Sequence, residues 1–332
     1  MTANQPLVDL DPLALQQKFW SSIAHSQVQK DLLARVSARH RARLQCLTQP
    51  LTSAWLTPIP CPALGLTFSS PEYRCLLRWR LGLPINPAVS SPPACPRCGD
   101  AQDPFGDHCV TCSRVSHYPR HTLVADALAR ALTAAGVHVT REVGVEGKRR
   151  PADLQLRGFV DPRRLAIDVT VRHPLGAFED PAAVAGTLAE AERQKHAKYD
   201  AVCARVGMQF GAFALSTFSG VGSEGLDLLH ALQKRLEEAH GGEEGRRLAR
   251  EAVERVGVAC ARGVGAQLLA ALQGQLPEVL AAGEPRDPEA EDGEQASIWV
   301  RWASQHGFVP SAPSGVPGSL GIRIVGARVW AW

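Results

Sequence analysis

The strongest chemical signal in the chain is a run of metal-ligand residue types. The segment 95-CPRCGDAQDPFGDHCVTC-112 separates Cys95 from Cys98 by two residues, and His108 with Cys112 forms a second pair across a turn-rich loop. Thiolate and imidazole are the donors zinc prefers, and four of them close a tetrahedral structural site. Such a site has no open position for a substrate, so its work is folding and positioning. Cys109 also fits the spacing to Cys112 and competes with His108, and His117 and His121 are further candidates. A second constellation is acidic: 151-PAD-153 followed by 165-LAIDV-169. A carboxylate inside an apolar strand is costly unless it is paired or bound to metal. Asp153 and Asp168 on neighbouring strands can hold a hard divalent cation such as Mg2+ or Mn2+, which can activate water and stabilise charge on a phosphate. Asp153 alone also suits a strand-start turn, and Asp168 a salt bridge to an arginine. Glu142 is a third acid with a weaker claim. At about 100° per residue, Leu188, Lys195, Tyr199 and Val202 share one narrow helical face, with Lys198 at its edge. A lysine there either reaches the carboxylates or lays its stem along the surface with its ammonium in water.

The elements that must position these groups follow from periodicity. Leu123, Val124, Ala127, Leu128, Ala131, Leu132 and Ala135 make an amphipathic helical stripe that stops at Gly136. Residues 138–145 alternate like a half-buried strand, 153–156 form a short second strand and 165–171 a more apolar third. A helix follows over 187–206, then a fourth strand over 208–218. The expected class is therefore α/β, in the order αβββαβ. Ahead of it, 13–47 reads as helix, Pro-rich 56–65 as a break and the stretch from Glu72 as a short basic helix ended by Gly82 and Pro84. Residues 226–281 return to helical periodicity, 284-EPRDPEAEDGE-294 reads as a solvated acidic linker, and the end from Pro310 is irregular. Four regions result: a helical connector (1–90), a zinc knuckle (91–121), the α/β core (122–222) and a helical extension with linker and tail (223–332).

Composition narrows the function classes. The 332 residues carry 36 Lys+Arg against 33 Asp+Glu, and 45 % are apolar, which excludes a wholly disordered chain. No run approaches the roughly 18–20 apolar residues of a membrane span, and the N-terminus lacks the pattern of a secretory signal. An intracellular setting is expected, in which nine cysteines read as metal ligands and buried thiols. Charge is uneven: Lys18, Lys30, Arg35, Arg39, Arg41 and Arg43 face one acid, Asp31, and residues 114–172 carry a basic excess. Such an excess points weakly to a polyanionic partner.

Taken in order, 54-AWLTPIP-60, 77-LRWRLGLP-84, 104-PFGDH-108, 120-RH-121, 149-RRPAD-153, 165-LAIDVTVRHPL-175 and 195-KHAKY-199 form a series over roughly residues 50–220. It resembles the C-terminal region of site-specific non-LTR retrotransposon reverse transcriptases. There a Cys-Cys-His-Cys knuckle directly precedes a PD-(D/E)XK restriction-like endonuclease core. The resemblance implies a DNA endonuclease with structural Zn2+ at Cys95, Cys98, His108 and Cys112, and catalytic Mg2+ or Mn2+ at Asp153 and Asp168. The family's core lysine normally stands two residues after the second acid, where this chain has Thr170. In retroelement enzymes of this kind the lysine can come from the following helix, which favours Lys195, with Lys198 as the fallback. Arg149, Arg150, Arg164 and Arg172 are the expected phosphate contacts. DNA is the expected partner, with retroelement RNA a second in the parent context and no membrane, and the setting nuclear or otherwise intracellular. The chain lacks a Tyr-x-Asp-Asp polymerase motif, so a retroelement end without its polymerase is expected. The alternative is a catalytically inactive, zinc-dependent nucleic-acid-binding module of the same origin.

Overall fold

Four strands line up in chain order to make one mixed sheet: β1 (His138–Val145), β2 (Arg149–Arg157), β3 (Arg164–Arg172) and β4 (Met208–Ser216). The computed structural model describes residues 12–86, 94–145, 149–159, 164–176 and 181–272. β1–β2 and β2–β3 are antiparallel, and β3–β4 is parallel with Asp168 opposite Ala212. A parallel pair needs a crossover, and α6 (Pro181–Arg205) supplies it.

Alternation along the strands sends two sets of side chains to opposite faces. Leu154, Leu156, Ile167, Val169, Phe213 and Leu215 pack with Val124, Leu128 and Leu132 of α5 (Tyr118–Ala134). The same core takes in Leu228, Leu232 and Leu236 of α7 (Ser223–His240) and Ala252 and Val256 of α8 (Gly242–Leu272). Ala166 and Met208 face the other way and meet Cys203 of α6 in a cluster that Ala152 also joins, out of step with Leu154. Each fully buried large aliphatic side chain contributes about 1.5–3 kcal/mol. A second core joins Cys46 of α2 (Ala38–Cys46), Leu76 and Trp79 of α3 (Ser70–Leu81), Phe218, and Val264 and Leu268 of α8.

Several element bounds differ from the periodicity reading, each for a local reason. The long N-terminal helix is two, α1 (Pro12–Arg35) and α2, because the Ser37 hydroxyl accepts from the His40 N–H and caps the second. α5 starts at Tyr118, ahead of its apolar stripe, with Pro119 in the first turn where no N–H is missed. β2 extends back to Arg149, and the register between Val143/Val145 and Ala152/Arg149 is irregular, which accommodates Pro151 in the strand. The C-terminal helical stretch divides at Gly241 into α7 and α8. By length and composition α8 could cross a bilayer. Here its apolar residues are buried against α3, α5 and α7, while Glu243, Glu244, Arg246, Arg247 and Arg250 near its start are exposed. Residues 273–281, the acidic linker at 284–294 and the tail from Pro310 lie outside the described residues.

Candidate functional site

The knuckle folds on short-range bonds. Cys95 and Asp100 close a turn in which Cys95 N–H donates to Asp100 O at 2.8 Å and Gly99 N–H to Cys95 O at 2.9 Å. One turn of helix, α4 (Asp107–Thr111), carries His108 and hands on to Cys112, whose N–H donates to His108 O at 2.9 Å. The ligand atoms of Cys95, Cys98, His108 and Cys112 all lie within 4.8 Å of one another, and this is the one such group among the described residues. Cys95 Sγ and Cys112 Sγ are 3.8 Å apart, and Cys98 Sγ and His108 Nε2 3.3 Å. A tetrahedron with Zn–S of about 2.3 Å has an S–S edge of about 3.8 Å. The cluster can therefore hold a metal ion, and its three thiolates and imidazole suit zinc. Cys109 is not in it: it packs in the apolar cluster with Trp79 and Leu268, where burial pushes its thiol up to about 12.

A buried carboxylate ties the knuckle to the body. Asp107 accepts from Arg43 Nη2 at 2.9 Å on both oxygens and from Trp79 Nε1 at 3.2 Å, and it also pairs with Arg39. Arg39 bridges on to Asp103 at 2.7 Å, and Asp103 in turn receives the His108 N–H at 2.6 Å. Arg39 and Arg43, counted above in a basic excess, are thus engaged internally, and Arg43 is 2 % exposed. Gly106 precedes α4 at φ +86°, with Leu268 and Ile85 so close that a Cβ would strike them.

The acidic constellation forms where two strands part. The β2–β3 register runs through Gln155↔Ala166 to Leu154↔Ile167, and the next residue, Asp153, uses its side chain instead. Its Oδ2 accepts from Val169 N–H at 2.6 Å, taking the place of a ladder carbonyl. The same oxygen lies 2.9 Å from His121 Nε2, on the first turn of α5. Asp168 points to the α6 side with Thr170 and is 6 % exposed. Lys195 of α6 places Nζ 2.6 Å from Asp168 Oδ2. Burial, with Asp153 nearby, holds the Asp168 carboxyl above the usual carboxylate range despite the opposing pull of Lys195. For His121 burial pulls downward, but the hydrogen bond and charge of Asp153 outweigh it and raise the imidazole.

The remaining candidates fall around this centre. Glu142 lies in β1 at φ +49° and reaches it indirectly: Tyr118 O–H donates to Glu142 Oε1 at 3.2 Å, and the Tyr118 ring stacks on His121 with centroids 6.0 Å apart. Lys198 does not join; its ammonium sits 4.8 Å from the centre of the Tyr199 ring. Arg172 is exposed, about 13 Å along β3 from Asp168, and donates to Gln194 Oε1 at 3.3 Å. Arg164 lies at the opposite end of β3 and donates to Val206 O at 3.1 Å. The side chains of Arg149 and Arg150 lie outside the described residues.

Three residues that matter here were passed over in the sequence. Spacing groups His121 with the spare zinc donors, because the apolar stripe begins after it; Pro119 is the available sign that the helix starts earlier. Asp107 and Arg120 appeared only as letters in 104-PFGDH-108 and 120-RH-121. Arg120 is fully buried and donates to Gln267 Oε1 at 2.9 Å, with longer bonds to Val110 O (3.4 Å) and Val171 O (3.5 Å). It joins the knuckle, β3 and α8. Gly263 lets α8 approach: a Cβ there would stand 2.8 Å from Arg120 Cα.

As a whole, the acidic site brings together two carboxylates, one ammonium and an imidazole. No protein-family model matches the chain, and no curated protein matches it.

Proposed function

We propose that this chain is a divalent-metal-dependent endonuclease that hydrolyses DNA phosphodiester bonds on a PD-(D/E)XK restriction-like core. We further propose that it is related to the target-nicking domain of non-LTR retroelement reverse transcriptases. The observation that carries the reading is the convergence of Asp153, Asp168 and Lys195 at the parting of β2 and β3. Thr170 stands where the family's lysine would be, and Lys195 brings an ammonium to the second carboxylate from α6 instead.

Asp153 and Asp168 are the residues that would hold Mg2+ or Mn2+, which when bound supplies Lewis-acid stabilisation of phosphate charge and a lowered water pKa. The ion pair with Asp168 keeps Lys195 in place before substrate arrives. Its ammonium then orients the attacking water and stabilises the negative charge that grows on the phosphoryl oxygens. The water oxygen bonds to phosphorus as the bond to the 3′ oxygen breaks. The water's proton is released and the leaving oxygen gains one, giving a 5′-phosphate and a 3′-hydroxyl. In a retroelement that 3′-hydroxyl would prime reverse transcription, with element RNA as a second partner and a nuclear or other intracellular setting. The knuckle, with Zn2+, holds the start of α5 beside the site.

The test is cleavage of supercoiled plasmid in Mg2+ or Mn2+ by zinc-loaded protein. Asp153→Ala and Asp168→Ala are expected to abolish nicking while leaving DNA binding intact. Lys195→Ala is expected to slow it about 10²–10³-fold, the range for removing one stabilising donor. Folded, zinc-loaded wild type that binds DNA and never cuts would instead support the binding module, the reading that Thr170 favours. Its affinity would then fall steeply with salt.

A further inference from the structure

We infer that His121 is a positioning residue for the divalent-metal site, fixing Asp153 through Oδ2 so that the carboxylate meets the ion through Oδ1. The inference rests on the endonuclease reading above. It begins with an asymmetry within one side chain. Both of the hydrogen bonds described for Asp153, from Val169 N–H at 2.6 Å and from His121 Nε2 at 2.9 Å, fall on Oδ2. A carboxylate oxygen with two donors already aimed at it is a poor further ligand, and a carboxylate with one oxygen pinned cannot rotate. Oδ1 is the oxygen left to ligate.

His121 is itself held for this task. The carboxylate only accepts, so Nε2 must carry the proton. Nδ1 is buried and has no hydrogen-bond partner among the described residues, so the ring is oriented through Nε2 and by packing. Tyr118 covers it from one side. Its neighbour Arg120 anchors the first turn of α5 to Val110 O, Gln267 and Val171 O, and His121 N–H closes the turn on His117 O at 3.3 Å. Ligating carboxylates depend on such outer hydrogen bonds, and losing one typically costs 10–100-fold in metal affinity.

Two variants of similar bulk separate the donor from the packing. His121→Leu fills the space without an N–H, and His121→Gln returns an N–H near the position of Nε2. Mn2+ binding to the zinc-loaded full chain is measured by electron paramagnetic resonance and calorimetry, beside wild type and Asp153→Asn. We expect His121→Leu to weaken Mn2+ about 10–100-fold and His121→Gln to recover most of that. Zinc content and melting midpoint should be alike in the two variants. In plasmid nicking, the Mn2+ concentration for half-maximal rate should move by the same factor, with the rate at saturating Mn2+ little changed. Wild-type affinity in His121→Leu, or equal losses in both variants, overturns the inference and leaves the nuclease reading standing. A wild type without an Asp153-dependent Mn2+ site overturns both.

Discussion

The four knuckle ligands come from a stretch bounded by Cys95 and Cys112, whereas the acidic site draws His121 from α5, Asp153 from β2, Asp168 from β3 and Lys195 from α6. The first has soft donors and is closed on itself, its ligands set by short-range bonds of the same segment. The second has hard donors that already meet protein side chains, Lys195 at Asp168 and His121 at Asp153. A metal ion in the knuckle would organise the chain around it, while the acidic residues are brought together by the fold itself. The proposed roles differ accordingly: a metal in the knuckle would shape it, and one at the acidic site would serve only the reaction.

The sharpest break in that comparison is metal removal. Stripping zinc, or changing Cys112→Ser, should unfold the knuckle and loosen α5, since structural zinc in small peptides contributes on the order of 10 kcal/mol. Removing Mg2+ should lower the melting midpoint by no more than the mass-action stabilisation of a bound ligand. Metal analysis with circular dichroism melts checks both. Next is the tie between knuckle and body. Asp107→Ala leaves Arg43 buried without its carboxylate, a change expected to cost about 3–5 kcal/mol in denaturant unfolding, well above the effect of a surface pair.

The third prediction concerns acid. His173 lies against Trp79 and Phe218, 2.8 Å from Thr217 Oγ1 and 3.7 Å from Asp107. Burial first, then Arg120 and Arg43, push its imidazole from 6.5 down to about 3. The unfolded chain therefore takes up the proton first. The contribution of His173 is complete above about pH 6.5 and is lost as pH falls towards 3, at roughly 1.4 kcal/mol per unit. His173→Gln should flatten that slope in urea melts taken across the range. The smallest effect is expected at Lys198→Ala, which removes a contact with Tyr199 worth about 0.5–1 kcal/mol and should leave nicking unchanged. A loss of nicking there would move the working lysine from Lys195 to Lys198.

The same contrast explains what could be read without coordinates. The knuckle was legible because its ligands are near neighbours and their spacing reports directly on geometry; only the choice between His108 and Cys109 needed the fold. Asp153, Asp168 and Lys195 were legible as candidates because strand and helix periodicities assign faces. What periodicity cannot show is pairing across elements. His121 with Asp153, and Arg43 with Asp107, join residues 32 and 64 positions apart. A histidine or arginine in such a pair has no local mark that separates it from a spare ligand or a solvated charge. The PAD strand was read too short because a proline normally ends a strand, and the irregular register that admits Pro151 is a property of the pair β1–β2.

One consequence reaches back to how the molecule is made. Arg120, which steadies the turn bearing His121, is bonded to Gln267, 147 residues later in the chain. At about 5–20 residues per second, a ribosome takes roughly 7–30 s to travel that distance. Throughout that interval the nascent chain can bind zinc, since its knuckle is complete and local, yet lacks the brace of its acidic site. The proposed centre, assembled in this order, would stay latent until synthesis has passed α8.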